Sequence, residues 1–112
     1  MDIPTLRKLV ALDENDPLSR FALGKKLFEE SSSSPAPRDM LEEAATHLAF
    51  ANEHAPQHLA TYHIYGQTLI QLGRTADAKR VLAAGVERVA AAGGGMGRDL
   101  GPVMSELLRG LS

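Results

Sequence analysis

Apolar positions recur along this chain every three to four residues, the period of a helix that buries one face. Leu6, Leu9 and Val10 form one such stripe and predict a helix over residues 5–12, closed by Asp13-Glu14-Asn15. Asp16 then offers a carboxylate to an open backbone N–H, and Pro17 suits a first helical position, where no donor is needed. A second helix is predicted over 17–30, with Leu23, Gly24 and Leu27 on one stripe and Leu18, Phe21 and Phe28 on another. A third, over 37–54, buries Met40, Leu41, Ala44, Leu48 and Ala51, with Pro56 just beyond its end. A fourth, over 57–72, carries Tyr62, Tyr65, Gly66 and Leu69, and Gly73 is placed to cap it. Thr75 is expected to cap a fifth helix that carries Ala78, Leu82, Gly85, Val86 and Val89 as far as residue 92. The last, over about 99–109, sets Leu100, Val103, Met104, Leu107 and Leu108 on one side, followed by Leu111; Pro102 falls in its first turn, where proline is tolerated.

The chain also resembles itself. Ala44, Leu48 and Ala51 recur 34 residues later as Ala78, Leu82 and Gly85. Leu23-Gly24 and Leu27 recur 42 residues later as Tyr65-Gly66 and Leu69, and the eight-residue excess is the Ser/Pro-rich stretch 31–38. That stretch cannot pack a core and reads as a solvated loop. Two helical segments repeating every 34 residues point to a helical repeat array.

Composition narrows the class. A chain of 112 residues is one domain by length. The net charge of −2 offers no field for nucleic acid or an anionic membrane. No apolar run approaches the roughly 20 residues of a membrane span, and Met1-Asp2-Ile3-Pro4 lacks the basic segment and long apolar run expected of a signal peptide. Cysteine is absent, which removes thiol chemistry and agrees with a cytoplasmic setting.

The residues Leu23, Gly24, Leu27, Ala44, Leu48, Ala51 and Pro56, and then Tyr62, Tyr65, Gly66, Leu69, Ala78, Leu82 and Gly85, resemble the tetratricopeptide repeat, in particular its small bacterial-type members. The run Gln71-Leu72-Gly73-Arg74-Thr75-Ala76-Asp77-Ala78 is similar to that family's turn between helices A and B. The resemblance implies an all-α fold, a short right-handed α-solenoid of antiparallel helix pairs. Residues 5–12 would be a half-repeat helix, 17–56 a first repeat with the inserted loop 31–38, 57–92 a second repeat and 99–111 a capping helix. The chain departs from the pattern at Arg20, where an aromatic residue is usual, and at Ala90, where proline is usual.

The resemblance further implies a ligand groove on the A helices. Carried over by position, its lining is Leu18, Phe21, Lys25, Phe28 and Glu29, then Ala60, His63, Gln67, Ile70 and Gln71. An apolar patch beside a neutral polar one suits an extended or helical peptide with apolar anchors. The opposing expectation is that a terminal helix covers Phe21 and Phe28. The Lys/Asn/Arg set with which some family members clamp a carboxylate terminus is missing from this lining.

Other candidates read blandly. His47, His54, His58 and His63 share no metal-ligand spacing, so no metal and no cofactor is expected. Gly93-Gly94-Gly95-Met96-Gly97-Arg98 follows a helix and fits no phosphate-loop pattern; it is expected to be a connector. Ser31–Ser34 are expected in solvent, Lys25-Lys26 form a surface pair, and Glu42-Glu43 sit on the outer side of a helix. No catalytic constellation is present in the sequence, so the expectation is a non-enzymatic protein–protein interaction module that binds a protein or peptide, with a self-associating homodimeric repeat protein as the alternative and with neither nucleic acid nor membrane as partner.

Overall fold

The computed structural model describes residues 1–31, 37–93 and 99–111. Among them the secondary structure is helical throughout: α1 (Ile3–Leu12), α2 (Pro17–Glu30), α3 (Arg38–His54), α4 (Leu59–Gln71), α5 (Thr75–Ala92) and α6 (Leu100–Gly110). The protein is therefore all-α. The chain divides into two compact units, Met1–Pro56 and Gln57–Ser112.

Two helix starts use one device. Asp16 accepts the N–H of Leu18 at 3.0 Å, and Pro17 fills the first turn. Asp2 accepts the N–H of Thr5 at 3.0 Å with Pro4 beside it, so α1 begins two residues before its apolar stripe suggests. An anion at a helix N-terminus satisfies an otherwise orphaned donor and faces the positive end of the dipole.

In the first unit, α2 and α3 run antiparallel, with Arg20 beside Phe50 and Gly24 beside Leu48. Gly24 is buried because Leu48 lies over it; a β-carbon there would stand 2.7 Å from Leu48 Cγ and 3.2 Å from the Ala44 carbonyl oxygen. Leu23, Leu27, Leu41, Ala44 and Leu48 complete this interior. Each fully buried leucine contributes about 1.5–3 kcal/mol. The departure at Arg20 has a local reason: its guanidinium lies 4.2 Å from the centroid of the Phe50 ring, and its Nε–H donates to the Glu14 carbonyl at 3.0 Å. The Phe50 ring in turn stacks with His54, centroids 4.1 Å apart. The first helix, α1, buries Leu6 and Val10.

The second unit packs α5 against both α4 and α6. Gly66 meets Leu82 as Gly24 meets Leu48, and Gly85 lies between Tyr62 and Met104. Tyr62, Leu69, Ala78, Val81, Leu82 and Met104 form the core, flanked by Tyr65, Ile70, Val89 and the apolar side of α6. The α4–α5 turn is a Schellman motif: Gly73 has φ +77°, its N–H donates to Ile70 O at 3.0 Å, and the Arg74 N–H donates to Leu69 O at 2.9 Å.

Three local expectations are corrected. Thr75 is the first residue of α5, not its cap; Arg74 holds that position, and its side chain does not cap the helix. Ser31 is buried, not solvated: its Oγ–H donates to Phe28 O at 2.8 Å and its N–H to Leu27 O at 3.0 Å, closing α2. Glu43 is half-buried and ion-paired, so it does not stand on an outer face. The rest of the Ser/Pro stretch, 32–36, and the glycine-rich connector at 94–98 lie outside the described residues. Among the described residues, no helix is long and apolar enough to cross a membrane.

Candidate functional site

The groove residues expected on α2 belong to the first unit. Leu18 is 55 % exposed, Lys25 and Glu29 are exposed, and Phe21 and Phe28 are half-buried. Phe21, Lys25 and Glu29 follow one another at intervals of four, which places them on one helix face. They line an open pocket of about 390 Å³ together with Met1 and Leu6 of the N-terminal segment and Ala22 and Lys26 of α2. The floor is apolar and the rim carries two ammonium groups and one carboxylate. Leu6 of α1 lines the same pocket as Phe21, which is half-buried. Leu18 and Phe28 are not part of this pocket's lining.

The residues expected on α4 belong to the second unit. Ala60, His63, Gln67 and Ile70 are half-buried and Gln71 is exposed. Ile70 packs against the unit's own core, so part of its apolar surface is already used. Ala60 lines a separate pocket with Gln57, His58, Leu59 and Leu100. His63 Nε2 is buried and has no hydrogen-bond partner, and burial pushes this imidazole below its ordinary value of 6.5.

Met1, Leu6 and Ala22 are lining residues that the α2 pattern alone does not reveal. The signal for Ala22 lay in its place four residues before Lys26, beside the row of Phe21 and Lys25. Nothing in the local spacing says that Leu6, read as part of a buried stripe, also walls a pocket.

An ionic cluster ties α1 to α3. Arg7 grips Glu43 with both ends of its guanidinium, Nη2 to Oε1 at 2.7 Å and Nε to Oε2 at 3.1 Å. These hydrogen bonds hold the Glu43 carboxyl below its ordinary range and raise Arg7 further. His47 Nε2 lies 3.5 Å from Glu43 Oε2, and burial holds His47 below its ordinary value despite that carboxylate.

The remaining histidines are engaged locally. His54 stacks on Phe50, and His58 Nδ1 meets Thr61 Oγ1 at 2.7 Å. Among the described residues, no three histidine, aspartate or glutamate side chains are grouped to hold a metal ion. Chemically, the pocket on the first unit offers a surface for an apolar side chain and for groups that pair with an ammonium.

Comparison of the chain with protein-family models, with curated proteins and with solved structures gave no match.

Proposed function

We propose that this chain is a tetratricopeptide-type interaction module, a small adaptor that docks a segment of another protein on the face of α2. The observation that carries the reading is the open pocket beside Phe21, Lys25 and Glu29, where apolar floor and charged rim meet. A segment with one apolar anchor and a nearby carboxylate suits it, since the anchor buries against Phe21, Ala22 and Leu6 while Lys25 sets its direction. The repeat reading is supported by the 34-residue period and by the Gly–Leu contact that closes both helix pairs. The helix pairs would be successive repeats of a short solenoid, in a cytoplasmic protein without enzymatic activity. The test is affinity capture from native lysate with the full chain, with Phe21→Glu and Lys25→Glu as controls. A partner held by the native chain and lost from both controls supports the reading; a partner held equally by all three removes the site from this face.

A second reading is favoured by Leu12 and Leu18, which are 83 % and 55 % exposed on either side of the α1–α2 turn. A second copy of the chain would cover them in an isologous dimer. A monomer mass by light scattering at every concentration tested sinks this reading.

A further inference from the structure

We propose that Glu43 and His47 form a proton-sensitive latch on α1: a protonated His47 takes the carboxylate that Arg7 uses to hold the helix in place. The inference goes beyond the docking face and bears on its regulation, because α1 supplies the Leu6 wall of that pocket. Only that link to docking rests on the reading above; the latch itself does not.

The first helix is a weak element. It has ten residues, fewer than an isolated helix needs to persist in water. Its attachments are the buried side chains Leu6 and Val10 and the bidentate grip of Arg7 on Glu43. One oxygen of that carboxylate is shared. Glu43 Oε2 accepts from Arg7 Nε at 3.1 Å and lies 3.5 Å from His47 Nε2. Glu43 and His47 stand one turn apart on α3, so a charged imidazole has its acceptor within reach on its own helix.

His47 fits its place only while neutral. Its Nδ1 is buried and has no hydrogen-bond partner. A neutral ring leaves a lone pair there, whereas an imidazolium puts a second N–H into a position that offers no acceptor. The charged groups that face it are Arg7 from α1, Arg20 from α2 and Glu43 from α3, two cations against one anion. A charged ring is disfavoured here chiefly by burial, and Glu43 is the group that draws it. Such a ring turns toward Glu43, the one carboxylate of the cluster, at the expense of Arg7.

Burial lowers His47 from its ordinary 6.5, and the hydrogen bonds from Arg7 lower Glu43 from its ordinary 4.5. The folded state binds fewer protons at His47 than the unfolded one. Its stabilising contribution is full above pH 6.5 and is lost as the pH falls through the lower folded-state value. While Glu43 is an anion, a charged His47 and Arg7 compete for it.

The test is hydrogen–deuterium exchange of the α1 amides in the full chain without any partner, from about pH 7.5 to about pH 5, corrected for intrinsic exchange. The expected result is a several-fold loss of protection in α1 relative to α3 on acidification, abolished in His47→Gln. An unchanged α1, or the same loss in His47→Gln, overturns the latch. If His47→Gln does not fold, titration of the His47 ring by NMR in the native chain and in Arg7→Lys, which keeps the charge but not the two-pronged bond to Glu43, decides. The latch requires the imidazole to become more basic once the guanidinium no longer holds Glu43, and an unmoved titration refutes it. Neither readout involves peptide binding, so the docking proposal and the latch fail independently.

Discussion

Leu82 occupies the space that a side chain on Gly66 would need: a β-carbon there would lie 2.5 Å from Leu82 Cδ2 and 2.7 Å from its Cγ. The glycine lets α4 and α5 approach closely. Alanine would normally stabilise a helix interior by about 0.5–1 kcal/mol. Here the overpacking cost of about 1–3 kcal/mol outweighs it, so Gly66→Ala lowers stability in urea unfolding. Gly110→Ala is the internal control, because nothing lies within 4 Å of its β position; its midpoint is expected to stay or rise slightly.

Gly73 makes the opposite case. Its β position is empty, yet its φ of +77° is one that L-residues rarely adopt. Gly73→Ala is expected to cost about 1–2 kcal/mol through the backbone alone, with Gly73→Asn recovering part of it. Equal midpoints for alanine and glycine would show that the turn reshapes at no cost.

Arg20 combines a ring face and a backbone acceptor. Arg20→Lys keeps the charge but loses the planar stack on Phe50 and the Nε–H bond to Glu14 O. A loss of about 0.5–1 kcal/mol is expected from the cation–π contact. A double-mutant cycle with Phe50→Leu isolates it, and a coupling of zero would assign the pair to mere proximity.

His63 gives a second acid-sensitive element, in the other unit. Burial lowers its folded-state value, so the folded chain favours the neutral ring. Stability contributed there is full above pH 6.5 and declines as the pH falls. His63→Leu removes the buried, unpartnered Nε2 and should flatten part of the stability–pH curve below neutrality. Thermal unfolding across that range checks it; an unchanged slope would place the proton uptake elsewhere.

The helices were legible because each buries one stripe, and Leu23, Gly24, Leu27, Ala44, Leu48, Leu69, Ala78 and Leu82 are all buried as their spacing requires. What the pattern missed is polar or distant. Thr61 and Thr68 are fully buried because each hydroxyl finds a partner within one turn, His58 and the Ile64 carbonyl respectively. A hydropathy stripe cannot see such pairing. Arg7 and Glu43 are 36 positions apart, and no local period links them. The same division holds at the pocket. Phe21, Lys25 and Glu29 share a face by spacing alone, whereas Met1 and Leu6 join them only through the packing of α1.

The short reach of these contacts governs how the chain finds its structure. Gly24 with Leu48, Gly66 with Leu82 and Gly85 with Met104 all join helices that are consecutive in sequence. Little loop entropy is spent before such contacts form. Refolding from urea is therefore expected in the microsecond-to-millisecond range typical of helical proteins with local topology.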